Sequence, residues 1–306
     1  MEDGRTLLQK AEIAVADFTN NGLLQPQQAD KFIQLAIKEP VLLQQMTVTP
    51  MRGPKEERDK MRFANRVLRA GAEGQALPSA QWAKPTLSMF ELDAQLFKAE
   101  IRITFESLED QIERGAFQDT LIREMARAIG RDMEYIVING DTTSLDPALA
   151  KLDGLVKQTT ANLVNGLSAK LDKDILRDML KALPDEWATD VSSMKYFTNR
   201  QAKVDYRDSI ADRATGLGDL YLSMNDNTKY QDIDVMAVPE FPVSGGDTQC
   251  ILMDPSNAWL GIHRDIRIQT DQDISAGVVI VVASVRFDIK VAEINAVSRA
   301  YAVKGS

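Results

Sequence analysis

Cysteine and histidine are almost missing from this 306-residue chain: Cys250 is the one thiol and His263 the one imidazole. No intrachain disulfide can form, zinc sites built from Cys and His are excluded in practice, and a Cys–His nucleophilic pair exists only if these two residues meet. Cys250 lies in the apolar run Cys250-Ile251-Leu252-Met253 and reads as a small buried hydrophobe. His263 follows Trp259-Leu260-Gly261-Ile262 and reads as a strand-end residue rather than a catalyst. Long apolar runs are missing too. Nothing approaches the ~20 residues of a membrane span, and the most apolar stretch, 278–282, is short and β-branched, hence a strand. The chain opens Met1-Glu2-Asp3-Gly4, with neither a basic region nor an apolar h-region, so a signal peptide is not expected and no membrane partner is implied.

Catalytic motifs are equally scarce. There is no Walker A sequence, no Gly-x-Gly-x-x-Gly after a strand, no Gly-x-Ser-x-Gly and no His-Glu-x-x-His. Gly245-Gly246, between Ser244 and Asp247, reads as a turn. Glu109-Asp110-Glu113 has the spacing of a helix start. Asp271-Gln272-Asp273 is expected in a loop between strands, and supplies too few oxygens for a calcium site by itself. No catalytic, cofactor-binding or metal-ligating residue is assigned, no cofactor is expected, and the chain reads as a non-enzyme.

What is present is 44% hydrophobic and 26% charged residues, enough to build a core and remain folded, with a net charge of −9. Tight nucleic-acid binders carry the opposite sign, because their affinity comes from Lys and Arg displacing counterions. An acidic wall can still enclose DNA, since weak repulsion keeps the polymer from sticking to it.

The charge is uneven. Between Met51 and Gly71 stand seven bases, Arg52, Lys55, Arg58, Lys60, Arg62, Arg66 and Arg69, against the acids Glu56, Glu57 and Asp59. The remainder is correspondingly more acidic than the whole, so this stretch has complementary surface on other copies of the chain, and subunit contact is the reading preferred over nucleic acid. Gly71, Gly74, Pro78 and Pro85 follow with little periodicity, and a loop of this length inside a compact domain is unusual unless functional. Residues 51–96 therefore read as a projecting extended loop. Trp82 within it reads as an interface anchor, with packing inside the loop as the alternative.

Around the loop the pattern is mixed. Residues 1–50 form an arm of two short amphipathic helices: Leu7 to Phe18, stopped by Asn20-Asn21-Gly22, and Ala29 to Ile37, ended by Pro40. Phe97, Ala99, Ile101, Ile103 and Phe105 alternate with Lys98, Glu100, Arg102 and Thr104 as a half-buried strand. Ser107-Leu108-Glu109-Asp110 begins a helix reaching about Asn139, roughly 31 residues and 46 Å long. Asn139-Gly140-Asp141 closes it with a pair suited to positive φ. Helices are predicted from near Asp172 to Leu183 and over 199–214, and strands over 232–238, 249–254, 258–263, 266–270, 277–291 and 296–303. The class is α+β.

In order and spacing these elements resemble the major capsid proteins of tailed bacteriophages, the Hong Kong 97 fold. The residues carrying the resemblance are Gly22-Leu23-Leu24 in the arm, Asn139-Gly140-Asp141 and Leu152-Asp153-Gly154-Leu155 after the long helix, Tyr230 to Pro242, and Arg286-Phe287-Asp288 leading to Glu293 and Ala296. The resemblance implies an N-terminal arm (1–50), an extended loop (51–96), a peripheral domain with a spine helix (97–164 and 264–291) and an axial domain (165–263 and 292–306). It implies self-assembly through hexamers and pentamers into an icosahedral head around double-stranded DNA, which the inner face touches weakly. It also implies a portal and, since no long scaffolding segment precedes the arm, a separate scaffolding protein. Assembly would take place in the host cytoplasm, ending in the virion. Some members crosslink a loop lysine to a neighbour's asparagine with a glutamate assisting. Lys55, Lys60, Lys84, Glu293 and Asn295 are of those types, but nothing aligns them and the chemistry is not carried over. The alternatives are an encapsulin compartment of the same fold, distinguished by packaged cargo, and a nucleic-acid-binding module, distinguished by salt-dependent binding of the monomer.

Overall fold

The computed structural model describes residues 40–63, 66–71, 74–105, 117–188, 191–211, 228–263 and 267–305. The two arm helices, the Gly22-Leu23-Leu24 segment and the Ser107 helix start lie outside the described residues.

The longest strand organises the chain. β12 (Val278–Val291) is the run Val-Val-Ile-Val-Val-Ala-Ser-Val, whose β-branched side chains suit a strand buried between neighbours. Along its first half it pairs antiparallel with β11 (Arg267–Asp273) on one side and β4 (Gln95–Thr104) on the other. Its second half takes β10 (Ala258–His263), and β1 (Thr47–Met51) adds in parallel beside β10, making five strands. β4 alternates as its sequence requires: Phe97, Ala99 and Ile101 are partly buried against the core while Lys98, Glu100 and Arg102 are exposed. Asp271 and Asp273, expected in a loop, are strand residues opposite Ile280 and Val278. The β12 run propagates the ladder over them, and the turn falls instead at residues 274–277, where Gly277 has φ +66°.

Helix α1 (Phe117–Asn139) packs on this sheet. Its 23 residues span about 34 Å. Met125, Ile129, Met133 and Ile136 recur at fours and threes and are buried in one core with Phe97, Val281, Val285 and Phe287. Phe97 and Phe287 stack with centroids 4.6 Å apart.

The helix end differs from the expected left-handed cap. Neither Asn139 nor Gly140 has positive φ. Gly140 is required by crowding: a Cβ there would stand 2.6 Å from the Leu152 carbonyl oxygen. Gly154 packs back on the same turn and donates its N–H to the Gly140 carbonyl at 2.8 Å. Asp153 accepts from the Thr142 N–H and hydroxyl at 3.0 and 2.9 Å, and Leu152 and Leu155 are buried on either side. The Asn-Gly-Asp and Leu-Asp-Gly-Leu segments are thus two halves of one clasp, completed by α2 (Leu155–Gln158). Gln158 then uses both ends of its amide on β12, donating to Ile289 O at 2.8 Å and accepting from Val291 N at 2.9 Å.

A second sheet has six strands in the order β5-β13-β9-β6-β8-β7. These are β5 (Leu163–Ala169), β6 (Lys195–Thr198), β7 (Lys229–Tyr230), β8 (Ile233–Ala237), β9 (Asp247–Met253) and β13 (Ser298–Lys304). Helices α3 (Lys173–Ala182) and α4 (Arg200–Ala211) cover one face, where Leu176, Met179, Ala202 and Tyr206 share a core with Tyr196, Val235, Cys250 and Leu252. Burial pushes the Cys250 thiol up to about 12, so it is an inert hydrophobe. From the other face Phe197, Ile251 and Met253 enter the α1 core.

The arm's root is tied down by a buried carboxylate. Leu42 and Leu43 are fully buried, and the Leu42 N–H donates to Glu134 Oε1 on α1 at 2.6 Å. Burial, helped by the charge of Glu240 and opposed by the backbone hydrogen bonds, holds the Glu134 carboxyl above its usual range.

Glu134→Ala strands the Leu42 N–H and should lower the unfolding free energy of the unassembled subunit by about 1–3 kcal/mol. Because the folded pKa lies above the unfolded one, the group's contribution is fully present below the unfolded pKa and is lost as pH rises through the folded pKa. Glu134→Gln should therefore match the parent at about pH 4 and exceed it at about pH 8, as measured by denaturant midpoints. At Gly154 a Cβ would meet backbone atoms at 2.6–2.7 Å (Gly140 N, Ile138 O and Val137 O), so Gly154→Ala should cost about 1–3 kcal/mol by the same assay.

Candidate assembly interface

Within residues 51–96, β2 (Lys55–Arg62) and β3 (Thr86–Asp93) pair as an antiparallel ribbon, with Lys55 opposite Asp93 and Arg62 opposite Thr86. The tip is open. Residues 66–71 and 74–85 are exposed and carry a single 3₁₀ turn, Ser79–Gln81.

Alternation along β2 divides the seven bases. Glu56, Arg58 and Lys60 are partly covered, whereas Glu57, Asp59 and Met61 are exposed. On the covered side Arg58 pairs with Glu56 at 2.6 Å and lies 5.8 Å from the Trp259 ring of β10, which Phe90 also meets edge-on at 5.8 Å. Lys60 lies 5.5 Å from the Phe90 ring and 3.9 Å from Glu293, which accepts weakly from Asn295 at 3.3 Å. Arg62 reaches Glu186 at 3.0 Å and the Trp187 ring at 5.7 Å, beyond α3. Lys55 pairs at 3.1 Å with both Glu91 and Asp93, whose carboxylates raise its pKa. The exposed Arg52 offers its backbone N–H to Glu56 at 3.3 Å. Exposed ion pairs contribute about 0–1 kcal/mol each and exposed cation–π contacts about 0.5–1 kcal/mol, so the ribbon's seat rests on their sum.

Arg66, Arg69 and Trp82 are not brought to this seat. They lie on the tip with Phe63, Val67, Leu68 and Leu77, and Leu68 is 90% exposed. Trp82 is 64% exposed and its indole N–H donates to Leu77 O at 3.1 Å, so its polar end is used locally while its rings remain in solvent. Exposed apolar side chains grouped in this way are characteristic of surfaces that meet a partner.

Elsewhere, a cavity of about 310 Å³ opens between α1 and β4 and β12, lined by Phe97, Ile129, Met133, Ile136, Leu149 and Phe287. Its lining is apolar, with only Lys98, Asp132 and Tyr135 as polar-tipped members, and presents no nucleophile–base pair. Among the described residues no cluster of three or more His, Cys, Asp or Glu side chains is placed to hold a metal, and no helix is long and apolar enough to cross a membrane.

Nothing in the sequence marks Glu186, Trp187, Trp259 and Glu293 as the residues that the ribbon meets. Trp187 and Trp259 share no spacing, and their convergence with β2 is created only by the tertiary fold. The one available signal was the period of two at Glu56, Arg58, Lys60 and Arg62.

Known proteins resemble this chain over nearly its whole length. The model of the Phage capsid family matches residues 20–300. A relative from Bacillus subtilis (strain 168), "Putative prophage capsid protein YqbE", is 30% identical over 306 residues, covering 97% of this chain and 98% of its own. Among solved structures, a chain of the satellite phage P4 procapsid including size determination (Sid) protein superimposes with a TM-score of 0.71 at 12% identity, covering 99% of this chain and 98% of that one. The SrpI encapsulin of Synechococcus elongatus PCC 7942 superimposes with a TM-score of 0.61 at 10% identity, covering 88% and 89%. At such identities the structures establish a common fold, shared by capsids and an encapsulin. The family match and the full-length relative go further: this chain belongs to the phage capsid family.

Proposed function

We propose that this capsid protein builds the icosahedral head of a tailed phage through hexamers and pentamers that enclose double-stranded DNA. The observation carrying the reading is the ribbon: a seated base with an exposed apolar and basic tip, on a chain whose remaining residues carry a net negative charge. A limb that places its binding residues on a different surface from the one they would meet makes a head-to-tail contact, and head-to-tail contacts close into rings. Each contact is weak, and closure multiplies them.

In this reading residues 97–164 and 264–291 with α1 are the peripheral domain. Residues 165–263 and 292–306 are the axial domain around the five- and six-fold axes, with residues 1–50 and 51–96 as arm and loop. β10 pairs with β12, so the boundary within 165–263 is best drawn just before Ala258. A separate scaffolding protein and a portal act during assembly in the host cytoplasm, and the finished chain resides in the virion head. The acidic balance suits an inner face that touches packaged DNA only weakly. The role is structural, without a catalytic step. An encapsulin compartment shares the fold; the family match and the prophage relative favour the phage reading.

Electron microscopy of the expressed protein, alone or with a scaffold, should reveal shells or capsomer rings; a monomer that persists at high concentration in light scattering counts against the reading. Arg66→Glu with Arg69→Glu should abolish shells and leave the thermal midpoint of the subunit within a degree or two, roughly the effect of surface substitutions far from any packing. Regular shells from this double variant would remove the tip bases from the interface.

A further inference from the structure

We infer that one face of β2 is a lock within one subunit: Arg58 and Lys60, which are partly covered, and the exposed Arg62 at its end hold the ribbon on its own body, leaving the tip beyond Arg62 for the neighbouring copy. This rests on the assembly reading above and divides its basic stretch into two jobs.

Three successive residues on one face of β2 engage three separate parts of the fold. Arg58 meets Trp259 of β10, Lys60 meets Glu293 after β12, and Arg62 meets Glu186 and Trp187 after α3. The residues are spaced by two, so the contacts run about 13 Å along the strand. A two-stranded ribbon has little stability or stiffness of its own, and contacts at three points fix its direction as one contact would not. The seats are themselves held. Trp259 lies in β10, paired to β12 from Ala258 to Ile262. Trp187 donates its N–H to Pro184 O at 2.9 Å in the turn that follows α3.

Arg62 is the outermost of the three and has the longest lever. Its partner stands 124 residues away in sequence, so this contact reports the global position of the ribbon rather than local hairpin geometry. Exposed apolar groups begin on the ribbon's open face, at Met61, Leu87 and Met89, and continue past Arg62 with Phe63, Leu68 and Trp82. A ribbon already aimed loses less freedom when its tip docks, which strengthens assembly without adding any contact between subunits.

The test exchanges the outer pair. Arg62→Glu and Glu186→Arg each place like charges together; the double variant restores an ion pair in reverse. In the unassembled subunit, hydrogen exchange of β2 and β3 amides should quicken about twofold to fivefold in either single variant and return towards the parent in the double. Shells counted by electron microscopy should follow the same order. Equimolar co-expression of the two single variants separates a lock within a subunit from a bridge between subunits. If the pair acts within one chain, both chains stay broken and regular shells stay as scarce as in the singles. Rescue by mixing to the level of the double variant would move the contact between subunits and overturn the lock. Unchanged exchange in Arg62→Glu would overturn it as well, whatever the shells look like, while loss of shells in the parent protein would count against the assembly reading alone.

Discussion

Burial of helix α1 on more than one side is the constraint on which the rest of this fold depends. Ile129, Met133 and Ile136 share a core with Phe97, Val285 and Phe287 of the five-stranded sheet, and Val137 and Ile138 belong to that same core together with Leu42, Leu43, Phe197 and Ile251. A helix apolar over so wide an arc is stable only between layers. Because both sheets contribute to one core, neither can shift without opening the packing around α1, and close-packed interiors transmit strain rather than absorb it. The two sheets and the helix are therefore one stiff body, from which the ribbon projects as a limb of another mechanical kind.

The polar interactions that matter most are those that join distant segments to this body. Among the described residues no cation is paired with the Glu134 carboxylate, which survives burial by accepting the Leu42 N–H and so fixes the arm root at the helix. The buried Asp288 on β12 does the same for the ribbon, accepting the Asp93 N–H at 2.8 Å at the end of β3; burial raises its pKa. Both limbs thus leave the body at a hydrogen bond to a desolvated carboxylate, where losing the partner is far more costly than the bond's net contribution. The ribbon's point of departure is well defined even though its tip is exposed.

How much of this was legible in the sequence follows from whether the signal was local. The alternation of β4, the β-branched run of β12 and the three-four spacing of α1 each reflect one face against one core, and each was readable. β1, β5 and β6 were not. They are four to seven residues long, and β1 and β5 are placed by parallel pairing with strands far along the chain. The Asn139-Gly140 turn suggested left-handed backbone, but Gly140 is there because Leu152 and Gly154 crowd it, a contact between segments. Asp271 and Asp273 looked like loop acids because charge usually marks solvent; their backbone belongs to a strand set by β12. The basic stretch was recognised as a unit by composition. Only the ribbon's pairing shows that alternate residues face the body, so its division into a seated and a free part was out of reach of a charge count.

A shell subunit must bind its neighbours firmly in sum yet weakly enough at each contact for a misplaced copy to leave. The distribution of residue types along the ribbon meets both demands. At its base the contacts are exposed ion pairs and cation–π pairs, each at most about 1 kcal/mol, which orient more than they bind. At its tip are aromatic and aliphatic groups, for which burial at roughly 25 cal/mol per Å² supplies attraction that salt does not screen. Had the charges alone been at the tip, attachment would fade as ionic strength rose. On the proposed reading, direction by charge near the body and adhesion by apolar contact at the far end would let one limb be aimed before it binds.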